Sequence, residues 1–246
     1  MIAVPYHLDQ RLERFDLGFV PDVEVTAPLP AAAGPWQRMA ALYEQVAEAV
    51  AQATTRPVIV SGDCTTSLGV LAGLQRAGRD PAIVWLDAHA DFHTEATTTS
   101  GYFGGLPLAL AVGVGTLTLP EALGLRPVPQ SRAVLVDARD TDPGEQELLA
   151  QSVVNRVRLH DLADDVLPAG DLYLHLDVDV ADPQDVPDLL YPAPDGPALT
   201  EVLAAVQRVV ATGRVAAVGL AVTWRHEPEA AAAHRHVLGR LVQATT

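Results

Sequence analysis

The sequence predicts an α/β protein, a mainly parallel sheet sandwiched between helices. Three observations predict it. Short apolar runs recur without strict polar alternation, the pattern of strands covered on both faces. Helix-like stretches separate these runs, and repeated strand–helix–strand order implies parallel pairing. Several runs end in aspartate, and ligand sites in such sheets gather beyond the carboxyl ends of the strands.

The strand-like runs are 2–5, 57–61, 82–87, 133–137, 172–179 and 215–222. The helix-like stretches are 37–53, 65–76, 144–151, 200–211 and 228–243. Thr200 with Glu201 marks a helix start, and Gly213 is a plausible stop. Residues 22–35, rich in Pro and Ala, and 183–197, with five prolines, read as loops. The second follows an acidic motif closely, so it either walls a pocket or serves as a rigid surface connection. Asp63, Asp87, Asp137 and the pair Asp177 and Asp179 fall at the ends of apolar runs.

A chain of 246 residues that is 49% hydrophobic suits one large domain, 1–246, with two small ones as the alternative. Net charge is −15, and all 16 basic residues are arginine. The acidity acts mainly as a solubility device, and without a basic stripe it argues against nucleic acid or an anionic membrane as partner. Cys64 is the one cysteine, which rules out an internal disulfide or a CxxC zinc module. The N-terminal segment 1–6 is no secretion signal, and no uninterrupted apolar stretch reaches membrane-spanning length. A soluble, cytoplasmic protein is the expectation.

Two segments carry the chemistry. Residues 85–94 read Trp-Leu-Asp-Ala-His-Ala-Asp-Phe-His-Thr, and 175–183 read His-Leu-Asp-Val-Asp-Val-Ala-Asp-Pro. Asp87, His89 and Asp91 are spaced i, i+2, i+4, which on an extended segment points them to one side. Asp177 and Asp179 repeat that logic. Water-poor strand ends do not hold several unpaired anions, so the segments together call for a cation. Four carboxylates and an imidazole suit Mn²⁺ better than structural zinc. Two carboxylates per segment exceed the need of one ion, which points to two bridged ions. Such ions, roughly 3.5–4 Å apart, can hold a hydroxide between them at neutral pH.

The pair Asp-Ala-His-x-Asp and Asp-Val-Asp-x-x-Asp-Pro resembles the arginase/agmatinase ureohydrolase family. The segment 87–101, ending in Thr-Thr-Thr-Ser-Gly, and the segment 139–145, Arg-Asp-Thr-Asp-Pro-Gly-Glu, are similar to further motifs of that family. The resemblance implies a three-layer αβα fold and a dimanganese site. It makes Asp87 and Asp177 bridging ligands, with Asp91 and Cys64 completing one ion and His89 and Asp179 the other. It also places Ser100, Asp142 and Glu145 near the α-carboxylate and α-amino ends of an amino-acid substrate. Family members are often trimers or hexamers, so a homo-oligomer is open.

Four departures bear on activity. Cys64 stands where the family has a metal-binding His, and a thiolate moves preference toward zinc or iron. Gly104 stands where arginases have a proton-shuttling His. Trp224 aligns with the Glu that holds guanidinium, unless a small shift brings Glu227 there. His93 replaces an Asn that contacts the substrate carboxylate. This combination is closest in motif to the Nω-hydroxy-L-arginine amidinohydrolase branch, which releases ornithine and hydroxyurea through attack of a metal-bound hydroxide. An N-hydroxyguanidine is less basic than a guanidine, so a carboxylate partner and a dedicated shuttle are less necessary. Trp224 would then supply an apolar wall or an N–H donor. Asp91 is the expected proton carrier, with His93, Tyr102 and His226 as other candidates, whereas His234 and His236 read as solvated. The alternatives are a degenerate homologue serving as a metal-stabilised partner subunit, and a hydrolase of another linear C–N bond.

Overall fold

A computed structural model of the chain describes residues 1–225 and 227–245. Among the described residues there are ten strands: β1 (Ile2–Val4), β2 (Tyr6–His7), β3 (Gln10–Arg11), β4 (Val23–Glu24), β5 (Val58–Ser61), β6 (Ala82–Asp87), β7 (Ala133–Asp137), β8 (Asn155–Val157), β9 (Leu172–Asp177) and β10 (Val215–Ala221). The α-helices are α1 (Pro35–Ala51), α2 (Ser67–Arg76), α3 (Pro107–Ala111), α4 (Thr118–Ala122), α5 (Pro143–Gln151), α6 (Leu199–Ala211) and α7 (Ala231–Thr245). Eight strands form one sheet in the order β4-β1-β5-β10-β9-β6-β7-β8, and β2 with β3 makes a small separate hairpin. Every pairing in the large sheet is parallel.

Two hydrophobic cores cover the two faces of this sheet. Ile83 and Trp85 of β6 and Tyr173 of β9 pack with α1 to α4, while Val84, Leu86, Leu174 and Leu176 pack with α6 and α7. The expected three-layer αβα sandwich is therefore present. It also explains the unbroken apolar runs: successive residues of one strand enter opposite cores, so both must be apolar. The parallel order sets the carboxyl ends of β5, β10, β9 and β6 side by side at one rim of the sheet. Among the described residues no helix is long and apolar enough to cross a membrane.

Candidate metal centre

The strands stop where the polar residues begin. β6 ends at Asp87, whose carboxylate accepts the Trp85 indole N–H at 3.1 Å and the His89 backbone N–H at 2.7 Å. The extended geometry expected for 87–91 is absent. The chain turns instead, and Asp91 adopts a left-handed φ of 50°, a conformation that a short polar side chain tolerates better than most. Its carbonyl accepts the backbone N–H groups of Leu108 and Ala109 at 3.1 Å each, which fixes the turn against the start of α3. β9 likewise ends at Asp177, and Val178–Val180 forms a short helical turn capped by the Asp177 carboxylate. His89, Asp91 and Asp179 thus reach the cavity through turns rather than strand alternation.

These turns bring the acidic groups together. Cys64, which follows β5, lies with Sγ 2.9 Å from Asp177 Oδ2 and 3.9 Å from Asp87 Oδ2. His89 Nδ1 lies 3.1 Å from Asp179 Oδ2 and 3.5 Å from Asp87 Oδ1. Thr223, just beyond β10, donates its hydroxyl to Asp177 Oδ1. Asp87, Asp91, Asp177, Asp179 and Cys64 are all buried. Two triads have potential ligand atoms within 4.8 Å of one another, Cys64–Asp87–His175 and Asp87–His89–Asp179, and Asp87 belongs to both. His175 was not among the residues expected here, because it lies inside an apolar strand run. Its spacing from Asp177 (i, i+2 on one strand face) was the available signal.

The electrostatics show what the cluster lacks. Among the described residues that line its cavity none is an arginine. Burial, then mutual repulsion, pushes the Asp91 and Asp177 carboxyls well above the usual range and Asp179 to about 6. Burial and the neighbouring aspartates also raise the Cys64 thiol. Burial pulls His89 down, but hydrogen bonds and charges from Asp179 and Asp87 outweigh it and bring it to about 12. Burial likewise raises Asp87, yet His89 overcomes this and leaves Asp87 below its ordinary value. Among the described residues, the His89 imidazole is the positive partner that faces Asp87 and Asp179. Asp91 Oδ2 and His175 Nε2 are buried without a hydrogen-bond partner. Orphaned acceptors amid repelling carboxylates, with sulfur and nitrogen donors alongside, fit divalent cations.

Above the cluster opens a cavity of about 490 Å³, a size suited to a small molecule. Ser100, Tyr102, Asp142, Glu145 and His93 all line it. Asp142 caps α5, accepting the Glu145 backbone N–H at 3.4 Å, and its other oxygen lies 3.1 Å from His93 Nε2. His93 Nδ1 meets Thr97 Oγ1 at 3.1 Å, so both ring nitrogens are engaged. Glu145 is buried, which raises its carboxyl, and it accepts the Phe92 N–H at 2.8 Å. The Tyr102 hydroxyl lies 2.9 Å from His7 Nε2. The Tyr102 ring folds over Gly104, where a Cβ would stand inside the phenol. With Tyr102 in this position, the aromatic ring takes the space a side chain at 104 would need.

Tyr191 also lines the cavity, edge-on to His89 with ring centroids 6.4 Å apart. It comes from the proline-rich loop 183–197, which therefore walls the pocket. Arg139 anchors that loop, donating to the Pro194 and Ala193 carbonyls at 2.8 and 3.0 Å.

One expected substrate contact is misplaced. Trp224 does not line this cavity: it is buried, stacks on His234 at 4.3 Å between centroids, and borders a separate depression with Glu227 and Phe15. Thr223 faces the aspartates, and the next side chain along an extended segment points the other way. Glu227 is excluded from the cavity with it. His234, expected to be solvated, is buried with Nε2 3.0 Å from the Pro187 carbonyl, and burial lowers its pKa. His236 is exposed as expected. His226 lies outside the described residues.

Known proteins resemble this chain in sequence and in fold. The Arginase family model matches residues 2–222. An arginase of Eremothecium gossypii is 31% identical over 216 residues, covering 80% of this chain and 53% of the relative. An N(omega)-hydroxy-L-arginine amidinohydrolase of Streptomyces lavendulae is 33% identical over 183 residues, covering 70% of this chain and 65% of the relative. The chain thus spans roughly half to two thirds of the length of these curated relatives. The crystal structure of Entamoeba histolytica arginase in complex with L-ornithine superposes with a TM-score of 0.82 at 20% identity, covering 99% of this chain and 96% of that one. The family match runs from the first strand of the sheet to the last, and the chain belongs to the arginase family.

Proposed function

We propose that this protein is a dinuclear-metal amidinohydrolase that cleaves a guanidino or N-hydroxyguanidino compound, Nω-hydroxy-L-arginine being the favoured substrate. The observation that carries this reading is the pair of ligand triads sharing Asp87 beside a cavity large enough for an amino acid. Cys64, Asp87, His89, Asp91, Asp177 and Asp179 are the proposed ligands, with Mn²⁺ as the expected ion and zinc or iron admitted by Cys64. Held by these residues, two such ions would supply the chemistry of a hydroxide-strength nucleophile at neutral pH and electrostatic stabilisation of developing negative charge.

The rest falls to the chain. Asp91 keeps one oxygen unpartnered, which suits it to pass a proton to the leaving amine. His93 holds Asp142 through Nε2 and so acts as a positioning residue for the substrate's α-amino end. Ser100 and Glu145 line the same cavity. Among the described residues, Gly104 and Thr223 bring neither an imidazole nor a carboxylate to their places in the cavity wall. That favours a substrate whose guanidino group is neutral.

The test is incubation of the Mn²⁺-loaded protein with Nω-hydroxy-L-arginine and L-arginine, from about pH 6 to pH 10. Hydroxyurea and ornithine are expected, with faster turnover of the hydroxylated substrate. Absence of urea, hydroxyurea or amine release from any guanidino compound rejects the reading.

A further inference from the structure

We propose that His175 is itself a metal ligand. With Cys64, it makes one half of the site selective for a zinc- or iron(II)-class ion, leaving the other half to manganese. The proposal rests on the dinuclear reading above and specifies what each half holds.

His175 and Asp177 lie two residues apart on β9 and share one face of the sheet. The imidazole is 1% exposed and stacks on Trp85 with centroids 3.7 Å apart, which fixes its plane. Its Nδ1 lies 3.0 Å from Ser67 Oγ, and that oxygen receives the Tyr173 hydroxyl at 2.8 Å. We assign the ring proton to Nδ1, donated to Ser67 Oγ, so that Nε2 keeps its lone pair. Nε2 is buried and lacks a hydrogen-bond partner. An unmade bond of this kind is costly in a dry interior, unless the nitrogen is reserved for a cation.

The nearby donors suit one. A ring nitrogen of His175, Cys64 Sγ and an Asp87 oxygen lie within 4.8 Å of one another. A shared ion bonded at about 2.0–2.3 Å would draw the three together with small movements. Metal-binding imidazoles characteristically hand their second N–H to a fixed acceptor, and Ser67, held by Tyr173, supplies one. The fold makes room for this relay: a Cβ at Gly219 would strike the Tyr173 hydroxyl.

The two halves then differ in softness. The thiolate and imidazole that Cys64 and His175 add to the carboxylates favour zinc or iron, whereas the half at His89, between Asp87 and Asp179, has no sulfur and suits manganese. A mixed pair of ions follows.

The experiment loads the 246-residue chain with Zn²⁺ and Mn²⁺ together and collects anomalous diffraction at both absorption edges. Zinc is expected about 2.1 Å from His175 Nε2 and about 2.3 Å from Cys64 Sγ, with manganese in the other half. In solution, the Co²⁺ form should show thiolate-to-cobalt charge-transfer absorption that Cys64→Ser removes. His175→Gln should weaken one ion by more than about 100-fold, beyond the usual loss from an outer-shell partner, and leave the other unchanged. An ion on Cys64 with His175 beyond bonding distance overturns the proposal while the amidinohydrolase reading stands. Unchanged binding of both ions in His175→Gln does the same. His175 bound to zinc without turnover of any guanidino compound supports this proposal and rejects that reading. No divalent ion in the site overturns both. If His175→Gln fails to fold, the wild-type anomalous maps decide alone.

Discussion

Asp87 and Asp137 are register partners at the ends of neighbouring strands, β6 and β7, yet they meet different company. Asp137 forms an ion pair with Arg139, whose guanidinium also donates to the Val180 carbonyl at 3.0 Å. Asp87 faces Asp177, Asp179 and Cys64 in a cavity lined by no arginine. Asp63, at the end of β5, shows a third outcome: it accepts the backbone N–H groups of Leu8 and Thr65 at 2.7 Å each. A strand-end aspartate therefore does not by itself mark a site. What distinguishes Asp87 is a group of several buried anions faced by the His89 imidazole but by no arginine among the described lining residues, and that shortfall of positive charge is what a metal answers.

The comparison predicts opposite results for similar substitutions. Asp177→Asn should abolish binding of at least one ion. It should lower turnover at least about 1,000-fold, because several kcal/mol of charge stabilisation depend on the ions. Asp137→Asn should leave ion stoichiometry unchanged and cost about 2 kcal/mol of stability, the scale of a charged hydrogen bond. Atomic-emission metal counts, steady-state kinetics and urea unfolding on both variants check this pair. Equal loss of metal in both would erase the distinction.

Ligand linkage gives the next effect. A divalent ion at 100 times its dissociation constant should stabilise the fold by about 2.7 kcal/mol, seen as a rise in Tm that chelation reverses. Asp137→Asn should keep that rise, and Asp177→Asn should lose most of it.

Without metal, the cluster predicts an unusual pH profile. The folded Asp179 carboxyl is raised from 3.8 to about 6 and His89 from 6.5 to about 12. Each folded group binds its proton more tightly than the unfolded one. Stability is therefore greatest below these windows: it falls from about pH 4 to 6 on Asp179, and from about pH 6.5 to 12 on His89. Metal replaces those protons, so binding near neutrality should release protons and strengthen as pH rises. Calorimetry in buffers of different ionisation enthalpy measures the release, and zero release contradicts the assignment.

The smallest effects lie at the rim. Tyr102→Phe removes the hydrogen bond to His7 and should cost about 1 kcal/mol, with any fall in kcat marking a part in proton movement. Trp224→Phe should leave kcat and KM within a factor of about 2 and cost under about 1.5 kcal/mol, since the ring packs away from the cavity.

The central strands and the acidic motifs were legible in the sequence because burial on both faces leaves unbroken apolar runs that end abruptly in aspartate. The edge strands β4 and β8 were not, since two or three mostly exposed residues such as Val23–Glu24 and Asn155–Val157 carry no such run. α3 and α4, at five residues each, are too short for helical periodicity to register. His175 hid inside an apolar strand, and Tyr191 inside a loop read mainly for its prolines. Trp224 was assigned to the cavity from alignment. One residue along an extended segment reverses the facing side, so Thr223 occupies that place instead.

The most direct test is the ion count of the wild-type protein, measured by plasma mass spectrometry after equilibrium dialysis against Mn²⁺ and Zn²⁺. Two divalent ions per chain are predicted. A protein that retains none, while remaining folded, would mean that the buried aspartates settle their repulsion with protons alone.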